Sequence, residues 1–187
     1  MTADEVLRFW FQGDRNQFRS DPWFSKNPKF DTLCRERFAF TVQAALDGAL
    51  DPWAATPAGT LALVLVLDQF PRNIHRGSYL AFAGDAHARR VARNAIAGGI
   101  DAHLTPVERI FLYLPFEHSE DLADQDGSVR LFAALCAGDT SSKALDSAQR
   151  HRDVIRRFGR FPHRNAALGR LNTPAEETYL AEPGSGF

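Results

Sequence analysis

The sequence predicts an all-α fold of antiparallel helical pairs, about seven or eight helices in a single domain spanning residues 1–187. Three observations point there. Threonine–glutamate capping boxes recur at Thr2–Glu5, Thr105–Glu108 and Thr173–Glu176. Apolar residues recur at helical spacing, and no Asn-Gly or Asp-Gly hairpin lies between alternating runs.

The opening, MTADEVLRFWF, starts a helix at Thr2: its hydroxyl can accept from an orphan backbone N–H while Glu5 reaches back to the cap. Asn27 before Pro28 starts a second helix, since proline at the first helical position loses no bond. Its apolar stripe runs through Phe30, Cys34, Phe38, Val42 and Ala45, and Gly48 ends it. The run LALVLVL at 61–67 suits a strand or a helix by composition; with no second strand-like run to pair with, it is read as a fully buried helix. Ala88, Val91, Ala92 and Ala95 form the next stripe, stopped at Gly98 and Gly99. Thr105 and Pro106 open the helix holding Ile110, Phe111 and Leu114, which Pro115 should kink just before Glu117. Ser119 is the expected cap of the helix that follows. Leu145, Ala148 and Ile155 mark a helix ending near Gly159, and Thr173 with Pro174 opens the last. QFPRN at 69–73 and RFPHRN at 160–165 echo each other: in each, the proline should stop the preceding helix and leave Arg and Asn in a turn.

Composition narrows the function classes. A length of 187 residues, with 44% hydrophobic and 24% charged side chains, is enough for one well-buried domain. A net charge of −1 and a pI of about 6.6 argue against general nucleic-acid affinity. Phe158 and Phe161 stand beside arginines as base-stacking residues do, but are read as core anchors, and no nucleic-acid partner is expected. Cys34 and Cys136 are far apart and form no CxxC motif, which suits two reduced thiols. Asp4 and Glu5 occupy the place where a signal peptide is basic, and no apolar run approaches the roughly 18 residues of a membrane span. The expected location is therefore cytoplasmic, with no membrane partner. HExxH, paired ExxH and cysteine clusters are absent, as are Walker, GxGxxG and GxSxG elements, so no metal or cofactor is expected.

The functional signal lies where polar residues interrupt apolar stripes. His118 follows Val107, Phe111 and Leu114 on one helical face, and His151 lies among Ala144, Ala148, Ile155 and Phe158. Gln125 shares a face with Leu122, Val129 and Phe132, provided the helix runs through Gly127. The buried run LALVLVL leads straight into Asp68 and Gln69. Each such group costs about 1–3 kcal/mol if buried unpaired, so each must meet a partner, water or a ligand. The acidic stretch EHSEDLADQD supplies Glu117, Glu120, Asp121, Asp124 and Asp126. A basic stretch supplies Arg156, Arg157, Arg160, Arg164 and Arg170, whose guanidinium forks match carboxylates.

These same segments carry a resemblance. DQFPRNIHRG at 68–77, ERIFLYLPFEHSE at 108–120 and RFGRFPHRNAALGR at 157–170 are similar to the signature blocks of a bacterial family described as a domain of unknown function. The likeness extends to EVLRFWF, to Trp23–Phe24 and to TPAEETYL near the end. The resemblance implies a tetratricopeptide-like helical fold and no particular activity. Its motif positions fall here on Asp68, Gln69, Arg72, Asn73, Glu117, His118, Ser119, Glu120, Gln125, His151, Arg160, His163, Arg164 and Asn165.

Three readings follow. In the first, the polar residues form a site for a small anionic molecule. His118 or His151 would be the acid or base, Glu117 or Glu120 its orienter, and Arg72, Arg76, Arg160 and Arg164 the anion clamp. In the second, the helices offer a groove to a peptide or protein partner, on fold analogy alone. In the third, the cluster is a structural ion-pair latch. Whether the chain is an enzyme stays open at this level.

Overall fold

The structure is a computed structural model that describes residues 1–19, 21–137 and 142–186. Among the described residues it is all-helical: α1 Ala3–Phe11, α2 Pro28–Leu46, α3 Pro57–Val64, α4 Phe70–Ile74, α5 Asp85–Ala97, α6 Pro106–Glu117, α7 Leu122–Cys136, α8 Ser142–Phe158 and α9 Pro174–Leu180. A π-helical turn, Leu65–Gln69, joins α3 to α4 without a break, and with that rod counted once the described residues hold eight helices. The capping boxes at Thr2 and Thr173 form in both directions. At Thr105 the backbone N–H donates to Glu108 over 2.9 Å while the Glu108 N–H donates to the threonine hydroxyl over 3.3 Å. Asn27 caps α2 by accepting from the Phe30 N–H. No helix is long and apolar enough to cross a membrane among the described residues.

The chain divides into two compact units, residues 1–76 with 80–115, and residues 77–79 with 116–187. In the first unit, α1 packs on α3, α2 on α4, and α3 on α5. Its core is aromatic: Trp10 makes an edge contact with Phe111 at 5.6 Å, and Phe38 and Phe70 approach to 4.7 Å. Trp23 donates its indole N–H to the Trp10 carbonyl over 2.9 Å, so a buried ring carries its polar edge to a partner. The α2 stripe is buried as its spacing predicts, from Phe30 to Ala45. Burial also pushes the Cys34 thiol up to about 12, which keeps it protonated and inert.

LALVLVL is a buried helix, as read, and every residue from Leu61 to Leu67 is sealed from solvent. Pro71, however, does not stop it. The π turn supplies the reason: proline has no N–H for the carbonyl four residues back and clashes with it, and a locally wider helix relieves both problems. The Phe70 N–H reaches back to Leu65 instead. The carbonyl that Pro71 leaves behind belongs to Leu67, and Gly84 packs against it so closely that a Cβ there would stand 2.1 Å from the Leu67 oxygen.

In the second unit α7 lies against α8, and the turn Pro162–Arg164 lies against α9. Val154, Ile155 and Phe161 form its apolar centre, with Phe158 and Tyr179 against them. The helix α6 runs through Pro115 and ends at Glu117. Asp121, not Ser119, caps α7: its carboxylate accepts from the Ala123 N–H over 2.7 Å, while the Ser119 hydroxyl accepts from the Asp121 N–H and donates to Asp124. Ser119 therefore shapes the turn before the helix, which releases Glu120 to point elsewhere.

The Gly84 contact gives a direct test. Gly84→Ala should cost about 3 kcal/mol or more in urea unfolding, because backbone must move to admit the methyl group. Gly127→Ala serves as the contrast: its added Cβ would meet nothing nearer than 3.8 Å inside α7, and it should gain about 0.5–1 kcal/mol.

Candidate functional site

The helical register of α8 turns His151 inward, where it is only 5% exposed, beside Glu117 at 2%. The His151 Nδ1 lies 2.9 Å from the Ser147 carbonyl and 3.0 Å from a Glu117 oxygen. A carbonyl can only accept, so Nδ1 carries the proton and Nε2 is the accepting nitrogen of the neutral ring. The Ser147 hydroxyl donates to Glu117 over 2.9 Å and fixes the carboxylate. Burial depresses the His151 pKa well below its ordinary 6.5, the Ser147 carbonyl opposes that, and the positive sides of His118, Arg164 and His163 press the same way as burial. A neutral histidine thus stands against a buried carboxylate.

Other predicted side chains gather around it. The His118 ring lies 6.4 Å from His151, half-buried just past the end of α6, so Glu117 rather than His118 takes the deep position on that face. Phe161 meets the His151 ring edge-on at 5.6 Å, and His163 approaches Phe161 at 5.5 Å. Arg164, 6% exposed, lays its guanidinium over the Phe161 ring at 4.5 Å. The Pro162–Arg164 turn delivers both groups, and here the proline does begin a turn as predicted.

Around this centre run bidentate ion pairs. Arg170 grips Glu120 at 2.7 and 2.9 Å, and the Phe161 N–H donates to the same carboxylate over 2.8 Å. Burial would raise the Glu120 carboxyl, but these donors outweigh it and hold it below its usual range. Arg160 grips Glu176 at 2.6 and 2.7 Å, and with the Thr173 N–H holds that carboxyl at about 2. Asn165, 1% exposed, ties Asn172 to Arg170. Gln125 is fully buried and α7 does run through Gly127; its amide donates to the carbonyls of Glu117 and Ser119 at 2.6 and 2.7 Å. That leaves Gln125 Oε1, with Ser128 Oγ one turn on, buried and without a hydrogen-bond partner among the described residues. Leu122, expected on the same inward face, is exposed.

The remaining predicted residues belong to the first unit and form an assembly of their own. Arg72 binds both oxygens of Asp85 at 2.9 and 3.1 Å and stands 3.2 Å from Asp68, whose carboxylate also accepts from Gln69. Arg76 grips Asp31 at 2.8 and 2.9 Å, and Asn73 donates to it over 2.8 Å. Burial opposes ionisation of Asp31, yet these bonds lower its pKa. Sequence reasoning missed Asp31, Asp85 and Ser147: the first two look like ordinary helix-start acids, and the third is a small residue whose carbonyl and hydroxyl both act on distant partners or the next turn. Glu176 was legible only as a cap, not as the partner of Arg160. No group of three or more His, Cys, Asp and Glu is arranged to hold a metal ion among the described residues.

Comparison with known proteins agrees with the resemblance in the motif blocks. A family model described as "Bacterial protein of unknown function (DUF924)" matches residues 6–184. The solved structure of a protein of unknown function, ATU0120 from Agrobacterium tumefaciens, is 40% identical, covers 96% of each chain and superposes with a TM-score of 0.87. No curated protein matches.

The neutral, buried His151 fixes the sign of a pH effect. Its folded pKa is depressed, so its contribution to stability is complete above 6.5 and declines as pH falls below that, where the unfolded chain binds a proton the native site excludes. Urea unfolding from pH 7 to 5 should show this loss, at most about 1.4 kcal/mol per pH unit for one group. His151→Gln, which keeps a donor for the Ser147 carbonyl, should flatten it.

Proposed function

The chain belongs to the bacterial family of unknown function DUF924, and from that premise we propose that its second unit binds a small anionic ligand at Arg164, with His151 as the acid or base. The observation that supports this most is the Glu117–His151 pair at 3.0 Å, buried beside a guanidinium. In this reading Glu117 and the Ser147 carbonyl hold the imidazole in its Nδ1–H form, so Nε2 accepts the proton. Glu117 then stabilises the imidazolium that results. Arg164 receives the anionic group, and half-buried His118 and His163 form the rim by which it enters. Glu120 with Arg170, and Glu176 with Arg160, brace the turn that presents Arg164. The unmet capacity of Gln125 Oε1 and Ser128 Oγ lends further support, since buried polar atoms without partners mark places for water or a polar ligand.

A specific observation also favours the latch reading. Arg72, Arg76, Arg160 and Arg170 are each already saturated by a carboxylate, as an ion-pair brace requires. Both assemblies therefore include structural clamps, and the ligand reading draws on the buried Glu117–His151 pair beside Arg164. A tetratricopeptide-like groove for a peptide or protein partner draws only on what the family resemblance implies.

The two readings separate experimentally. In a thermal-shift panel of phosphate, sulfate, malate and citrate, at least one anion should raise the melting temperature of the native chain. Arg164→Lys should weaken that anion's binding about tenfold or more, since a point charge cannot replace the fork. Arg170→Ala should lower the melting temperature yet leave affinity within about twofold. No shift with any anion, or parallel loss of affinity and stability in both variants, would favour the latch.

A further inference from the structure

Apart from the Arg72 and Arg76 ion pairs, the first unit carries a half-open cavity of ≈ 400 Å³, within the range of small-molecule sites. The helix α5 builds one wall by simple periodicity: His87, Arg90, Val91, Asn94 and Ala95 fall on one face. Leu63 and Thr60 of α3 face them, and Ile100 and the Asp51–Ala55 turn close the ends. The lining is therefore divided into an apolar floor of Leu63, Val91, Ala95 and Ile100, and a polar margin.

The charges on that margin are unequally engaged. His87 Nε2 stands 2.8 Å from an Asp51 oxygen, though the two form no hydrogen bond. The side chains of Arg90 and Asn94, one turn apart, meet no hydrogen-bonding or ionic partner among the described residues. This contrasts with Arg72 and Arg76 of the same unit, each locked on a carboxylate. The cavity thus presents an unengaged guanidinium and amide above an apolar floor.

We propose that this cavity binds a small monocarboxylate with an unbranched apolar body, its carboxylate on Arg90 and Asn94 and its chain against Val91, Ala95 and Ile100. The arginine fork matches the carboxylate bidentately and the Asn94 amide adds a third donor. Thr60 spends its hydroxyl on the Ala54 carbonyl, 3.2 Å away, so the floor offers no competing donor. The site is independent of His151 and Arg164.

Hexanoate and 1-hexanol, equal in chain length, test this on the full chain by amide NMR titration. Hexanoate should shift the resonances of Ala54, Thr60 and Asn94 saturably, at least about tenfold more tightly than 1-hexanol. Arg90→Gln, at an exposed position, should keep the melting temperature and lose about tenfold in hexanoate affinity. Ala95→Leu, which fills the floor, should lose binding of both compounds, and Arg164→Lys should change neither. Equal binding of acid and alcohol, no saturable shift, or hexanoate affinity unchanged in Arg90→Gln would overturn the proposal.

Discussion

A carboxylate taken out of water must find donors or give up its charge, and most of the polar architecture of this protein follows from that requirement. In the second unit the burden falls on Glu117, Glu120 and Glu176, and each is met differently. Glu176 is saturated by a guanidinium and its own helix cap, and Glu120 by a guanidinium and a backbone N–H. Glu117 is met by a histidine and a serine hydroxyl, partners that can exchange protons or rotate. The difference separates a clamp from a site capable of chemistry.

The clamps position that site. Phe161 gives its N–H to Glu120 and its carbonyl to Arg170, so the ion pair fixes the backbone at the start of the Pro162–Arg164 turn. The turn in turn places the Arg164 guanidinium over the Phe161 ring, which itself abuts His151. Loss of the Glu120–Arg170 pair would thus loosen the presentation of Arg164 without removing any group that faces His151. In the first unit Asp31, Asp68 and Asp85 answer to Arg72, Arg76 and Asn73 by the same rule, holding the end of the rod that runs through Pro71.

The helices were legible in the sequence because their signals are local. A threonine three residues before a glutamate, or apolar residues at every third and fourth place, needs nothing distant to act. The inward positions of Gln125 and His151 came from the same periodicity. What escaped depended on atoms elsewhere. Pro71 reads as a stop until one knows that a π turn can absorb it and that Gly84 lies against the vacated carbonyl. Ser119 reads as a cap, but Asp121 is the better-placed acceptor for the Ala123 N–H in the first turn of α7. His118 continues an apolar stripe in register, yet the helix ends at Glu117 and the stripe ends with it. The pairing of Arg160 with Glu176 was hidden because that glutamate already had an evident local task.

The account turns on the protonation of one ring. Nitrogen-detected NMR of the histidine side chains at pH 7 reads it directly. The predicted result is a neutral His151 with its proton on Nδ1 and an unprotonated Nε2. A His151 imidazolium at that pH, or a ring protonated on Nε2 alone, would contradict the hydrogen bond to Ser147 and with it the arrangement on which the proposed site depends.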